Sequence, residues 1–193
     1  MRVMLVPGNQ DADVHSEIWY PWITKQLEKL RVKVIAKNMP DADLARKEYW
    51  LPFIEKQLEG DENSILIGHS SGAVAALRYA EIHKLQGIIL VSASYTDLGD
   101  EHEKASHYFD DPWQWDKIKK NVKWIIQFHS LNDPYIPVEK ARYIAKQLNT
   151  EYQEYKDQGH FASDVGKKEF PEIIETIKKK LKILRDVDIN LKG

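Results

Sequence analysis

Short apolar runs, each closed by a turn former, recur along the chain, and between them apolar residues fall at helical spacing. The runs at residues 3–6, 32–36, 64–67, 87–91 and 124–128 predict five buried strands, and the more polar 151–155 predicts a sixth. Trp19, Trp22, Ile23, Leu27 and Leu30 share one face of a helix predicted from about residue 16 to 30. Asn38-Met39-Pro40-Asp41 breaks the pattern, and Asp41 or Asp43 is placed to cap the next helix. Pro52 lies inside that helix and lacks a backbone donor, which predicts a kink, or a fresh helix whose first turn holds Pro52, running to Gly60. Further helices are expected from Ser70 to about residue 83, over 141–148, and from 170 to about 184. Residues 92–116 show no regular element before Pro112.

Strands alternating with helices predict an α/β fold: βαβ units building a largely parallel sheet covered on both faces. A strand order 2-1-3-4-5-6 would place the winding reversal between the first and third strands, with a ligand site beyond their carboxyl ends. One domain over 1–185 is expected, followed by a loosely held tail, 186–193.

Composition narrows the class. The chain has 193 residues, 42% hydrophobic and 30% charged, enough for one well-buried core and unlike a disordered or membrane-spanning chain. A formal net charge of −2 supplies no basic field for nucleic acid or anionic lipid, so neither is an expected partner. Absence of cysteine removes disulfides, thiol nucleophiles and thiolate metal sites together, and fits a reducing compartment. The apolar start stops at Pro7-Gly8, too soon for a signal peptide, so a cytoplasmic protein is the expectation.

Chemistry enters at Gly68-His69-Ser70-Ser71-Gly72, between the third strand and the small-residue run 73–77. G-x-S-x-G between strand and helix is the pattern of a nucleophile elbow: a serine in a strained turn, its hydroxyl at a helix N-terminus. A serine needs a base, and the base an orienting acid, in the order Ser, Asp or Glu, His for this architecture. Asp133 follows the fifth strand and His160 the sixth, so both loops emerge on the same edge as Ser70. Asp97 and Asp100, after the fourth strand, are the competing acids; Asp157 and Asp164 flank His160. His69 is read as a packing or turn residue and the other histidines as ordinary polar residues. His102, His107, Asp110 and Asp111 are a conceivable metal site but match no strong metal-ligand spacing, so neither metal nor cofactor is expected. An oxyanion hole would combine the N–H of Ser71 with one from the first loop, Asn9 before Gln10.

With these residues in view, the chain resembles the retinoblastoma-binding protein 9 family of small α/β-hydrolase serine hydrolases. Blocks across nearly the whole chain carry the resemblance: Val6-Pro7-Gly8-Asn9, Ala36-Lys37-Asn38-Met39-Pro40, Trp50-Leu51-Pro52-Phe53, the elbow through Ala73, Asp97-Leu98-Gly99-Asp100-Glu101, Pro112-Trp113-Gln114-Trp115 and Gly159-His160-Phe161. The resemblance implies a six-stranded sheet with no large lid, Ser70, Asp133 and His160 as the triad, and hydrolysis of small esters or amides, aminopeptidase-type substrates included. Two departures stand out. After Asn9 the family's glycine-rich run is replaced by Gln10-Asp11-Ala12. The family's L-x-C-x-E, which binds a retinoblastoma-type pocket protein, falls on Leu58-Glu59-Gly60-Asp61-Glu62. Gly60 stands where the motif needs Cys, so that binding mode does not carry over and a helix end followed by a turn is expected.

Tyr95, Tyr108, Phe109, Trp113 and Trp115 cluster between the fourth and fifth strands and, with Gln10, are expected to wall a substrate pocket for a small apolar group. Asp11, Asp13 or Asp97 could hold a substrate amine. The expected partner is a small molecule or short peptide. An interaction module that keeps the hydrolase shape without catalysis, and a thioesterase with the same triad, are the alternative readings.

Overall fold

A computed structural model of the protein describes residues 1–10 and 13–190, with 183–190 as backbone only. Asp11 and Ala12 therefore lie outside the described residues, as do residues 191–193 of the expected tail. Six strands, β1 (Arg2–Val6), β2 (Lys33–Ala36), β3 (Ile65–His69), β4 (Gly87–Val91), β5 (Ile125–Ser130) and β6 (Glu151–Tyr155), form one sheet in the order 2-1-3-4-5-6. Every neighbouring pair is parallel. The register pairs Val6 with Gly68, His69 with Val91, and Ser130 with Tyr155, so the carboxyl ends of β1 and β3 to β6 come out along one edge.

The central strands read as unbroken apolar runs because both faces are covered. Successive side chains alternate: Val3, Leu5, Ile65 and Ile67 pack on one face, Met4, Val6 and Leu66 on the other. The first face is covered by α1 (Tyr20–Lys29) and α7 (Pro171–Asn190), through Ile23, Leu27, Ile173 and Ile177. The second is covered by α2 (Lys47–Leu58), α3 (Ser71–Ala80), α5 (Trp115–Asn121) and α6 (Val138–Leu148). All ten residues of α3 are buried, which its small Gly and Ala side chains make sterically possible.

Several expectations change in detail. Helix α1 starts at Tyr20, four residues later than the periodicity suggests, with Pro21 in its first turn. Of the two alternatives expected at Pro52, a kink or a fresh helix, the fresh helix is not formed. Instead α2 begins at Lys47 and continues through Pro52, with Trp50, Ile54 and Leu58 fully buried. Burial of that apolar face outweighs the one helical hydrogen bond that proline cannot donate. The segment after β4 holds a helix the sequence reading left out, α4 (Glu101–Ala105), capped by Asp100 accepting from the Glu103 N–H at 3.1 Å. At the other end, α7 continues to Asn190, past the expected end near residue 184. Leu58 closes α2, and Glu59 and Gly60 turn with φ of 54° and 69°. The stretch 58–62 is thus a helix end and turn, with Leu58 buried and Arg2 paired to Glu59 at 2.9 Å.

Candidate active site

Ser70 links the end of β3 to the start of α3 with φ 53° and ψ −120°, a strained conformation for a residue with a side chain. Two contacts enforce it. The Ser70 N–H donates to the Val91 carbonyl at 2.9 Å, and the Ser70 carbonyl accepts from the Ala73 N–H at 2.9 Å, opening the helix. The flanking glycines serve close approach, and the positive φ falls on the serine itself. A Cβ on Gly72 would lie 2.1 Å from the Val6 carbonyl oxygen, and one on Gly68 2.5 Å from that of Gly72. Only glycine lets α3 begin directly against the end of β1.

Asp133 and His160 are brought together from the loops after β5 and β6. His160 Nδ1 lies 3.0 and 2.9 Å from the two carboxylate oxygens of Asp133, whose side chain is fully buried. Asp133 also accepts from the N–H groups of Tyr135 and Ile136, both at 3.0 Å. Burial opposes its charge, yet the hydrogen bonds and the facing His160 hold its pKa below the usual carboxylate value. The two loops are also bound directly. Asn132 Oδ1 accepts from the Gly159 N–H, and Ser130 Oγ from the Gln158 N–H, each at 2.8 Å. The rival acids go elsewhere. Asp97 closes a turn on the Gly99 N–H, Asp100 caps α4, and Asp164 accepts from the backbone N–H of His160.

Ser70 and His160 line one open cleft of about 1070 Å³ at the sheet's carboxyl edge, with Asn9, Gln10 and Ser71 on its wall. Among the described residues, no hydrogen bond joins Ser70 Oγ to the His160 ring, whose Nδ1 is held by Asp133. Among the described residues, the N–H groups of Asn9 and Ser71 have no hydrogen-bond acceptor, whereas the Gln10 N–H donates to the Ala42 carbonyl at 2.9 Å. Gln10 is therefore committed elsewhere as a backbone donor.

The expected aromatic wall does not form at the cleft. Tyr108 is fully buried in the core, and Phe109 packs against it. Trp113 and Trp115 stack on each other at 5.1 Å, and Tyr95 stacks on Tyr143 at 4.3 Å, all away from the cleft lining. Burying the rings against α3 and α6 removes more apolar surface from water than lining an open cleft would. Arg78 draws this segment inward. It donates to the Tyr108 and Asp111 carbonyls, and its Cζ sits 3.7 Å from the Trp113 ring centroid. In place of the aromatics, the cleft is bordered by Val74, Leu98, Tyr135 and Ile136 and by Asp100, Glu101 and Glu103. Tyr135 sets its ring edge-on to His160, 5.0 Å away.

Glu103 accepts from Asn9 Nδ2 at 3.2 Å, tying α4 to the first loop, and burial raises its pKa. Of the expected amine ligands, Asp13 holds the His15 N–H and Ser16 outside the cleft lining, Asp97 borders a neighbouring surface pocket, and Asp11 is outside the described residues. The sequence reading missed Glu103 and Tyr135. The spacing Asp100-x-x-Glu103 was the available sign of a helix there, since it matches a capping pattern. For Tyr135 there was no such sign.

A parallel six-stranded sheet in this order, with a serine elbow and a facing Asp–His pair at its carboxyl edge, defines an α/β-hydrolase. The chain belongs to the Serine hydrolase family, whose profile matches residues 3–179. It is 48% identical over 181 residues to the rat serine hydrolase RBBP9, covering 93% of this chain and 95% of that one. Its structure is similar to that of the ydeN gene product of Bacillus subtilis, with a TM-score of 0.85 at 26% identity, covering 94% of this chain and 98% of that one. Est1E of Butyrivibrio proteoclasticus shares the fold at a TM-score of 0.71 and 15% identity, over 96% of this chain and 89% of that one.

Proposed function

We propose that this hydrolase cleaves small esters and amides by acyl transfer, with Ser70 as nucleophile, His160 as general base and Asp133 as its orienting acid. The observation that carries the reading is the buried Asp133 carboxylate held on His160 Nδ1 in the cleft that Ser70 opens into. A carboxylate on Nδ1 selects the tautomer in which Nε2 is unprotonated and can take the Ser70 proton. Attack by Oγ on the carbonyl carbon then forms a tetrahedral oxyanion, which the Asn9 and Ser71 N–H groups stabilise. His160 returns the proton to the leaving group, and water, activated the same way, releases the acid from the acyl-enzyme.

The acidic border of the cleft favours an acyl group that carries an amine, as in aminopeptidase-type substrates. Among the described residues lining it, Asp100, Glu101 and Glu103 are acidic and none is Lys or Arg. The test is labelling by a fluorophosphonate together with a substrate panel. Ser70→Ala should lose the label, and free aminoacyl esters should turn over faster than the same esters with the amine acylated. Undiminished labelling of Ser70→Ala would overturn the nucleophile assignment, and equal rates on both esters the amine preference.

A further inference from the structure

His69, the second residue of the elbow motif, has no role in the reaction above, yet it is 1% exposed and sits between the elements that carry the reaction. Its Nε2 lies 2.9 Å from the backbone carbonyl of His160. A carbonyl can only accept, so Nε2 carries the proton and Nδ1 presents a lone pair. Nδ1 is 2.7 Å from Tyr20 Oη, whose hydroxyl must therefore donate to it. The same Tyr20 oxygen accepts from the Gly8 N–H at 3.1 Å. Proton directions along the chain are thus fixed: Gly8 N–H to Tyr20, Tyr20 O–H to His69 Nδ1, His69 Nε2–H to the carbonyl of His160.

The ends of this chain are functionally distinct. Gly8 precedes Asn9, whose N–H is one candidate oxyanion donor, and the far end is the backbone of the base itself. Trp19, next to Tyr20, reinforces that end by donating from Nε1 to the Phe161 carbonyl at 2.8 Å. Phe161 holds φ 57°, a strained value for a residue with a side chain, so the His160 loop needs outside contacts to keep its shape. Buried networks of this kind rigidify their neighbourhood when each member has a partner of the right polarity.

We propose that Tyr20 and His69 are positioning residues that tie the first loop to the backbone of His160 across the base of the elbow, fixing the oxyanion donor and the general base relative to Ser70. This rests on the acyl-transfer reading of the site. It assigns the start of α1, remote in sequence from all three triad residues, a part in turnover.

The test uses the full chain with Tyr20→Phe, His69→Phe and His69→Gln, measuring p-nitrophenyl acetate hydrolysis per mole of Ser70 titrated with a fluorophosphonate. Tyr20→Phe should lower kcat about 10- to 100-fold, the range for misplacing a reacting group without removing it. KM should stay within about twofold, since the ground-state contacts of the ester are untouched. His69→Phe should lower kcat at least as far. His69→Gln, whose amide can still donate toward the His160 carbonyl, should recover part of the loss. Tyr20→Phe in the His69→Phe background should add little, because both changes cut one chain. In the wild-type protein, imidazole nitrogen shifts should report His69 protonated on Nε2.

Unchanged kcat per titrated Ser70 in Tyr20→Phe, even with a lowered Tm, would reduce the network to packing and overturn the proposal. So would a His69 found protonated on Nδ1 alone. If His69→Phe fails to fold, Tyr20→Phe, which removes a single oxygen, decides the matter. Retained turnover in Ser70→Ala would instead sink the acyl-transfer reading, so the two failures are separable.

Discussion

Asp133 and His160 are 27 residues apart in the chain, and both carboxylate oxygens of the first lie within 3.0 Å of Nδ1 of the second. The contact survives burial of the carboxylate because two backbone N–H groups share its charge. Asp133→Asn should therefore cost about 10⁴ in kcat, as an amide favours the wrong imidazole tautomer. Asp97→Asn, which touches only its own turn, should stay within about twofold. Steady-state kinetics on one ester, with both variants checked for Tm, compares them.

Ser70 should show opposite effects on activity and stability. Ser70→Ala should lose on the order of 10⁶ in kcat. Ser70→Gly should be equally inactive but more stable than Ser70→Ala by about 1 kcal/mol, because glycine adopts φ 53° without strain. Urea unfolding of the two inactive variants checks the difference.

Gly159→Ala is expected to damage the site from behind. Its φ is 50°, and an added Cβ would fall 2.1 Å from Asp164 Oδ2, the group that receives the His160 N–H at 2.8 Å. A loss of about 1–3 kcal/mol in stability should come with a drop in kcat as the His160 loop shifts. Thermal melts and kinetics on the same preparation measure both.

Stability should fall with acid before the carboxylates titrate. Burial, and then the nearby His160, lower the His69 pKa from 6.5 to about 3. The unfolded chain therefore binds a proton below 6.5 that the native state refuses. This contribution is fully present above pH 6.5 and is lost as pH falls towards 3, with a slope of up to about 1.4 kcal/mol per pH unit. Asp133, also lowered, adds a loss of the same sign at more acid pH. Denaturant unfolding between pH 7 and 4.5 should show the slope, and His69→Phe should flatten it by one proton.

Arg78 is expected to be a large single contributor outside the cleft. It pairs with Glu81 at 2.8 Å, with 4% and 8% of the two side chains exposed. Arg78→Met leaves that carboxylate buried with no facing cation and only the Gln114 N–H at 2.9 Å as donor, for a loss of about 3–5 kcal/mol. Adding Glu81→Leu should recover part of it, which a double-mutant cycle by urea unfolding would show.

The alternation of apolar runs and helical stretches determined the six strands and the parallel class of the sheet, because a parallel sheet buried on both faces leaves a strong local pattern; the order 2-1-3-4-5-6, which the sequence reading could only suppose, is decided by the pairings in the tertiary structure. The positions of Ser70, Asp133 and His160 were legible for a related reason: each lies in the loop that follows a strand, and strand ends are local. The aromatic segment after β4 went the other way. Composition marks those rings as hydrophobic, but only the packed structure decides that Tyr108 is buried in the core, that the others pack against it beside α3 and α6, and that α4 and Glu103 are left on the cleft. Tyr20 and His69 were equally hidden. One reads as a helix residue and the other as a bystander in the motif, and their partners at Gly8 and His160 are set by the layering of α1 against the sheet. Local sequence fixes which way a chain turns; which polar atoms then meet depends on contacts between segments far apart in it.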